Sequence, residues 1–566
     1  MPVLSLAQTA PTSSLSGLIT DPSGAAIVSA VVNLTNVGTS LNRETRSRSD
    51  GKFTVQLIPA GLYRLKVEAA GFRQFEQTGI RLNVDMPATV NVALSVGSLS
   101  EQVTVSEDSV MVNTQSGTLT QVVDQRYIEE LPLNGRNAAA LVRMVPGTVS
   151  GVGTTTAGYA NTSETQAISV NGTRGNEVSY KLDGATHMDN VTNLNAIYPN
   201  PDALAEFSVQ TSNYSAQYGD AAGAVVNVVT KSGTNRLHGS AFEFLRNGDL
   251  NARNFFATQH DNLKRNQFGG ALGGPILKNR LFWFSSYQGT VVNNTSFTNT
   301  ATVPSTRQRN GDFSDLSKSI IDPFTNQPFP GNIIPANRIS LLATNLLTKV
   351  PVPTAATGLL FYPRPDQFRT HQGLGKLDYN RSNHLLSGSF FAVNYDDPGW
   401  NGGGTLLTTR IGQFQTTRDI KGQDIWTINP HVINTFIASA LYLDSYNTKR
   451  SPFTIQDFGN IAITKPALDA AELELSVTGY SGWGSVTNSP PGQWIRRNVE
   501  FSDTVHLVSG RHQALFGAEI TPYIVFDSST KFQQSGNFSE ASTWTPVTRW
   551  RRGRAIVFTF FAFPPW

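Results

Sequence analysis

Apolar and polar residues alternate with a period of two through the N-terminal part of the chain, which predicts strands with one buried face. Turn-forming residues separate these strands at 21–24, 49–51, 59–61 and 70–71. The alternating apolar series are Phe53-Val55-Leu57, Tyr63-Leu65-Val67 and Val90-Val92-Leu94. Residues 15–96 are therefore predicted to form a small β-sandwich, and roughly 80 residues can bury a core of their own.

The same alternation returns after residue 236, where the segments have aromatic ends. Leu281, Trp283 and Tyr287 alternate there with Phe282 and Phe284. Further series are Phe242-Phe244, Ile433-Ile437-Leu441-Leu443 and a hairpin over 506–520 that turns at 509–511. Amphipathic strands of about ten residues suit an outer-membrane wall, because contacts with lipid alternate with contacts with the lumen. A soluble sandwich gives a similar pattern, so the alternation alone leaves both architectures open.

Residues 107–235, which lie between these regions, mix helix and strand signals. Asp124 can cap a helix over 125–131 that Pro132 ends, and Asn137 can cap a second helix at Ala138–Met144. The apolar, β-branched run at 224–229 follows a glycine turn and predicts a strand. The chain is therefore predicted to be mainly β, with an α+β segment in the middle.

The middle segment resembles the plug of TonB-dependent outer-membrane receptors of the Oar-like branch. The matching motifs lie in the family's order at 131–137, 170–174, 180–184, 206–209 and 218–235. The plug-signature residues that the resemblance implies are Arg136, Arg174, Asp183, Gly184, Tyr218, Gly219, Gly223, Asn227 and Lys231. Many siderophore receptors carry Arg-Gly-Pro ahead of the Tyr-Gly pair, whereas this chain has Thr211-Ser212-Asn213. That departure favours the Oar-like branch over a typical iron-siderophore receptor.

The flanking regions resemble further parts of such receptors. Residues 15–96 look like the carboxypeptidase-regulatory-like domain, an Ig-like or prealbumin-like β-sandwich also described as a carbohydrate-binding-like fold, through motifs at 17–24, 50–53 and 59–63. Its motif residues specify turns and core, so a structural spacer is favoured over a working carbohydrate module. The segment from 236 to 566 resembles the N-terminal part of the family's antiparallel transmembrane β-barrel, with 303–353 as a long extracellular loop.

A linker at 97–106 joins the sandwich to the plug segment. The resemblance implies that a TonB box precedes the plug, and the candidate residues are Glu101, Gln102, Val103, Thr104, Val105 and Ser106. A TonB box pairs edge to edge with a strand of the periplasmic protein TonB, which requires an extended main chain and little else. The same residues fit equally well as the last strand of the sandwich.

Composition argues against several other functions. The formal net charge of +3 is too small to indicate nucleic-acid binding. The chain has no cysteine, which excludes disulfides and thiolate metal sites, and its eight histidines show no metal-ligand spacing. We therefore predict no catalytic residue, no metal and no cofactor, and do not expect an enzyme.

The two ends of the sequence suggest additional expectations. Residues 1–14 look like the remnant of a signal peptide, and the alternative is the frayed N-terminus of a cytosolic protein, which could have a similar sequence. A 22-stranded barrel needs about 500 residues, so the barrel is expected to be incomplete and C-terminally truncated.

As a whole, the resemblance implies a receptor in the outer membrane of a Gram-negative-type bacterium. It would contact outer-membrane lipid, bind an extracellular ligand such as a glycan or peptide, and import it with energy from TonB and its inner-membrane complex. The alternative is a surface carbohydrate-binding or adhesion protein that does not transport.

Overall fold

A computed structural model gives the structure of the chain. It describes residues 3–5, 11–97, 102–106, 117–131, 133–150, 165, 167–215, 217–218, 222–255, 259–260, 262–400, 410–450, 473–477, 479–481, 483–484, 492–509, 512–527 and 534–538. These residues form a β-sandwich, an α+β plug and a large antiparallel wall, and the chain is mainly β as predicted. Within the described residues, no helix is long and apolar enough to cross a membrane.

The N-terminal strands are β1 (Val3–Ser5), β2 (Thr12–Thr20), β3 (Val31–Asn36), β4 (Asn42–Arg46), β5 (Lys52–Pro59), β6 (Gly61–Glu68), β7 (Gln74–Leu82), β8 (Ala88–Thr89), β9 (Val92–Ala93) and β10 (Gln102–Ser106). One sheet of the sandwich has the order β10-β7-β6-β3-β4, and β5-β2 with β8 and β9 forms the other. The predicted series at 63–67 and 90–94 both face the core between the sheets.

Leu57 departs from the predicted alternation. Phe53 and Val55 enter the sandwich core, but Leu57 points out of it and Ile58 takes its place. The cause is a bulge in β5, where the register with β2 shifts and Leu57 adopts a φ of 50°. A bulge inserts one extra residue, so the side chains after it change face. The expectation that Leu57 packs with Phe53 and Val55 was therefore wrong.

The plug, defined here as residues 117–235, has strands β11 (Leu119–Asp124), β12 (Thr148–Ser150), β13 (Ile168–Val170), β14 (Val178–Leu182), β15 (Ala185–Thr186), β16 (Met188–Asp189), β17 (Leu194–Asn195), β18 (Leu204–Ser212) and β19 (Ala224–Thr230). Its helices are α1 (Gln125–Glu130) and 3-10 segments at Asn134–Arg136, Ala138–Met144 and Pro201–Ala203. Its main sheet has the order β11-β18-β19-β14-β15 and covers an apolar core.

Both predicted helix caps of the plug are present. The Asp124 carboxylate accepts the Tyr127 amide at the start of α1, and the Asn137 side chain accepts the Ala139 amide. The second segment is a 3-10 helix and not an α-helix. A cap of this kind satisfies an amide that has no intrahelical partner, so it marks where either type of helix begins.

The wall contains strands β20 (His238–Asn247), β21 (Lys264–Leu277), β22 (Leu281–Thr302), β23 (Leu359–Arg381), β24 (His384–Trp400), β25 (Arg410–Asn429), β26 (Val432–Arg450), β29 (Gly492–Ser509), β30 (His512–Thr521) and β31 (Tyr523–Asp527). The short strands β27 (Leu473–Val477), β28 (Trp483–Gly484) and β32 (Gln534–Phe538) form a separate sheet. The helices here are α2 (Thr306–Arg309), α3 (Leu341–Lys349) and 3-10 segments at Gly248–Leu250, Pro330–Asn332 and Ala336–Arg338.

Wall strands pair in sequence order from β20 to β26 and then through β29 and β30 to β1, while β31 also pairs with β29. Among the described residues the sheet ends at β20 on one side and at β1 on the other, so it is not a closed barrel. Strands such as β22, with 22 residues, are longer than the ten residues predicted. About ten residues cross the hydrocarbon layer, so the longer strands extend beyond it.

The two faces of the wall differ. Side chains of the inner face, including Phe284 and Phe391, pack against Ile197 and Ala203 of the plug. The outer face exposes a broad set of large apolar side chains, among them Leu377, Phe390, Ile420, Phe436 and Phe501. Strands are joined by short turns along one edge of the wall, at 278–280, 382–383 and 430–431. The long connection 303–358 lies on the opposite edge and includes the segment 303–353 that was predicted to be a long loop.

Candidate functional site at the plug

Arg136 connects the plug to the inner face of the wall. Its guanidinium forms an ion pair with Asp202 and donates from Nε to the Gln288 side-chain oxygen at 3.2 Å. The guanidinium carbon also lies 4.4 Å from the ring centroid of Phe242 and 4.5 Å from that of Phe244. A guanidinium that pairs with a carboxylate and lies close to aromatic rings is stabilised by both the ion pair and cation–π attraction.

Asp183 and Gly184 form the turn between β14 and β15, where both have positive φ, 48° and 84°. The Asp183 carboxylate accepts the amide of Thr230 at 2.9 Å and its hydroxyl at 2.7 Å, and Lys376 Nζ of the wall lies 3.6 Å away. Burial alone would raise the pKa of Asp183, but the ammonium groups of Lys376 and Lys421 and the Thr230 bonds outweigh it and lower the pKa.

A second buried polar contact joins His187 of the plug to Asp419 of the wall. His187 Nδ1 lies 2.7 Å from the Asp419 carboxylate, and its Nε2 lies 3.0 Å from the carbonyl oxygen of Ile197. Lys421 Nζ lies 2.9 Å from the same carboxylate and donates to the carbonyl of Leu182 at 2.8 Å. The His187 ring and the Lys421 ammonium group therefore both contact the Asp419 carboxylate, and both link it to the plug.

Two further wall side chains hold the turn region of the plug. Arg496 Nη1 lies 3.2 Å from the carboxylate of Asp189, and Glu500 accepts the amide of Thr186 at 2.8 Å. The inner face of the wall thus contacts the plug through ion pairs and hydrogen bonds from β23, β25 and β29. Smaller apolar clusters of plug and wall residues add to these contacts.

Tyr218 and Asn227 meet the sandwich at the other side of the plug sheet. Asn227 Nδ2 donates to the Asp85 carboxylate at 2.9 Å and lies 3.5 Å from the Tyr218 hydroxyl. Burial, with the nearby Asp85 charge, raises the pKa of the Tyr218 phenol. Gly219 lies outside the described residues.

Glu206 of β18 also contacts the sandwich. Both of its carboxylate oxygens lie 3.0 Å from the backbone nitrogen of Val84, and the residue is 4% exposed. Burial raises the pKa of this carboxyl to about 8; the Val84 amide and Arg81 oppose the shift, and the charges of Asp85 and Asp124 add to it. A carboxyl that must leave water next to other carboxylates holds its proton more tightly.

The other signature residues act within the plug. A Cβ on Gly223 would lie 2.5 Å from the Thr173 hydroxyl, so the close approach just before β19 favours glycine. Lys231 Nζ lies 2.5 Å from the carboxylate of Glu129. Arg174 is largely exposed and lies 4.0 Å from Glu177, a geometry that contributes little. Of the nine signature residues, Arg136 and Asp183 thus contact the wall, and Tyr218 and Asn227 contact the sandwich.

The candidate TonB box forms β10, which pairs in parallel with β7 of the sandwich from Gln102–Gln74 to Ser106–Thr78. This is the arrangement of the alternative interpretation, a last strand of the sandwich. Because β10 is at the edge of its sheet, its other side has no neighbouring strand among the described residues. Glu101 lies outside those residues.

Comparison with known proteins identifies the family. A family model described as an outer membrane beta barrel domain matches residues 229–554, more than half of the chain. A carboxypeptidase regulatory-like domain matches 14–95, and a TonB-dependent receptor plug domain matches 113–226. The TonB-dependent transporter Oar of Myxococcus xanthus is 26% identical over 255 residues, which cover 42% of this chain. The chain belongs to the Oar-like TonB-dependent receptors.

Solved structures of outer-membrane receptors are also similar to this chain. The transporter YddB of Escherichia coli has a TM-score of 0.46 and 11% identity, with coverage of 74% of this chain and 50% of that one. A mutant ferric enterobactin receptor of Pseudomonas aeruginosa has a TM-score of 0.41 and 13% identity, covering 73% and 50%. The match to Oar spans 23% of that relative's length. The family places this Oar-like receptor in the outer membrane, where the apolar outer face of the wall meets lipid.

Several residues of the site were not predicted from the sequence. The wall residues Lys376, Asp419, Lys421 and Glu500 are charged residues in amphipathic strands, where a charge is favoured on the face towards the lumen because the other face meets lipid. That rule could have placed all four on the inner face. The described part of the receptor contains no group of three or more His, Cys, Asp or Glu side chains arranged for a metal ion.

Proposed function

We propose that this receptor binds an extracellular ligand and imports it across the outer membrane with energy delivered by TonB and its inner-membrane complex. The observation that carries the proposal is the polar contact between plug and wall. Lys376–Asp183, His187–Asp419 and Arg496–Asp189 join the two, and Arg136 donates to the wall residue Gln288. Ion pairs exchange their partners for water when they separate, so such an interface can open without exposing a large apolar surface.

TonB would engage the chain at β10. Strand addition uses main-chain hydrogen bonds, and β10 offers a free edge while its other edge pairs with β7. A TonB strand can therefore extend this sheet without displacing β10 from the sandwich. The ligand would bind on the opposite side, at the edge of the wall that carries the long connections, and a glycan or peptide is the class proposed.

The proposal is tested with the full chain in detergent and the purified periplasmic domain of TonB. Adjacent residues of a strand direct their amides to opposite neighbours, so Val103→Pro and Thr104→Pro remove one donor on each side of β10. One of these two variants removes the donor on the edge of β10 that faces away from β7. That variant is expected to weaken TonB binding by about tenfold or more. Val103→Ala and Thr104→Ala keep the backbone donors and are expected to bind like the wild type. Equal binding by all four variants would contradict the proposed role of β10 and favour a surface protein that does not transport.

A further inference from the structure

The sandwich contacts the two central strands of the plug sheet through consecutive parts of one segment. The Val84 amide donates to Glu206 of β18, and Asp85 accepts from Asn227 of β19. Both sandwich residues follow directly after β7. Glu206 is almost completely buried at this contact, and a buried carboxyl group requires hydrogen-bond partners. The Val84 amide therefore meets a specific need of the plug residue and is more than a surface contact.

A second contact joins the sandwich to the segment between plug and wall. The Asn235 amide donates to the carbonyl of Gly38 at 2.9 Å, and the Asn235 side chain donates to the Ser40 hydroxyl at 3.2 Å. Gly38 and Ser40 lie in the turn between β3 and β4, at a different place on the sandwich from Val84. The sandwich thus contacts the plug at two places: at the main sheet of the plug, and at Asn235, where the chain leaves the plug for the wall.

The third contact is apolar and reaches the wall. Leu57 packs against Leu385, Ile425 and Ile433, which lie next to the short turns of the wall. Its side chain reaches them because of the bulge in β5 and its φ of 50°. A non-glycine residue in this region costs roughly 1 kcal/mol or more in backbone strain. The chain accepts that strain at the residue that touches the wall.

The strand β7 connects these contacts to β10. It pairs with β10 over its first half and continues to Leu82, two residues before Val84. A displacement of β10 is therefore passed to β7 by a ladder of hydrogen bonds, and from β7 directly to the groups that hold Glu206 and Asn227.

We propose that the sandwich is a clamp that holds the plug closed against the wall, and that β7 is the element through which a pull on β10 releases it. The release half of the proposal rests on the proposed function, because it requires TonB to act on β10. The clamp half stands without it. In this role the regulatory-like domain is neither a passive spacer nor a carbohydrate module.

Amide hydrogen exchange on the full chain in detergent tests the clamp without TonB or ligand. Three amides report different contacts: Val84 bonds to Glu206, Asn235 to Gly38, and Thr186 of the plug to Glu500 of the wall. The Leu94 amide bonds to Thr20 inside the sandwich and serves as the internal reference. A docked amide exchanges when its contact opens, so the protection factor measures the opening equilibrium.

Leu57→Ala is remote from all three reporters in sequence and removes the apolar contact with the wall. It is expected to lower the protection of Val84, Asn235 and Thr186 together by about tenfold or more, and to leave Leu94 unchanged. If Val84 and Asn235 lose protection while Thr186 keeps it, the sandwich merely docks and does not hold the plug. That result overturns the proposal, as does a change confined to one amide.

Glu206→Ala repeats the test from the plug side, in case Leu57→Ala unfolds the sandwich and lowers the protection of Leu94. Its matched control is Glu206→Gln, whose amide oxygen can still accept the Val84 amide. We expect the alanine variant to reduce protection at the remote amides Asn235 and Thr186 and the glutamine variant to keep it. Unchanged protection at both remote amides in Glu206→Ala overturns the clamp.

Release is tested by the proline variant of β10 that acts on the β7 side. It is expected to lower the protection of Val84 and Thr186 and to preserve TonB binding. If TonB binds the wild type but this variant leaves both amides unchanged, the release step is wrong and the transport proposal stands. If the exchange results are as expected and TonB fails to bind, the proposed function is wrong and the clamp stands.

Discussion

Raising the pH is expected to weaken the docking of the sandwich on the plug, and Glu206 is the group that causes it. The carboxyl is enclosed by Val84 and lies near the charges of Arg81, Asp85 and Asp124. Its pKa rises from the ordinary 4.5 to about 8 when the sandwich is docked, mainly through burial. Separation of the two domains would return the carboxyl to water and to its ordinary pKa.

The sign follows from the raised pKa. The docked form binds the proton more tightly than the separated form, so docking is most stable below pH 4.5 and loses stability as the pH rises towards about 8. Within that window, each rise of one pH unit lowers the docking equilibrium constant by at most tenfold. The difference between the two pKa values corresponds to an upper limit of about 5 kcal/mol. Burial also raises the pKa of Asp85, which adds a change of the same sign.

The measurement is the protection factor of the Val84 amide in the full chain, corrected for the intrinsic pH dependence of exchange, between about pH 5.5 and 7.5. Wild-type protection is expected to fall with rising pH, while the Leu94 amide, which bonds within the sandwich, stays constant. Glu206→Gln removes the titration and should leave only the slope due to Asp85. If the protection of Val84 in the wild type did not change with pH, or if it changed equally in Glu206→Gln, the role of Glu206 in this pH dependence would be refuted.

Two further predictions concern the stability of the plug, measured as the free energy of unfolding in guanidinium titrations in detergent. Arg136→Ala leaves Asp202 buried without its cation and is expected to destabilise by about 3–5 kcal/mol, whereas the exposed Arg174→Ala should change the value by less than about 0.5 kcal/mol; equal effects would contradict the assigned ion pair. Gly223→Ala forces a Cβ to within 2.5 Å of a hydroxyl and should cost about 1–3 kcal/mol. Its control is Gly375→Ala, where a Cβ meets nothing within 4 Å, and a comparable loss there would show that the close approach is not the cause.

Features that depend on neighbours in the sequence were predictable from it. Asp124 and Asn137 cap helices as expected because a cap involves amides only two or three residues away. The alternation of Tyr63, Leu65 and Val67 placed one face in the sandwich core because the period of a strand is two. These signals need no knowledge of the tertiary structure.

Features that arise between domains were not predictable in the same way. Glu206 lies in a motif that the resemblance identified, but its partner Val84 is 122 positions away and contributes only a backbone amide. No residue type marks such a donor. Leu57 was assigned to the wrong face because the bulge that turns it outward is visible only in the register with β2.

The distribution of apolar and charged contacts suggests how the plug can move without unfolding. Its own core is an apolar cluster around Tyr180, Phe207 and Val226, and exposing such a core costs about 25 cal/mol for each Å². Its contacts with the wall and the sandwich are largely ion pairs and hydrogen bonds, which water replaces at a far smaller net cost of about 1 kcal/mol each. A force applied through β10 and β7 therefore separates the polar interfaces before it disrupts the core. Displacement of the plug as a folded unit therefore costs less free energy than unfolding it. A clamp that contacts two strands of its main sheet can control that displacement.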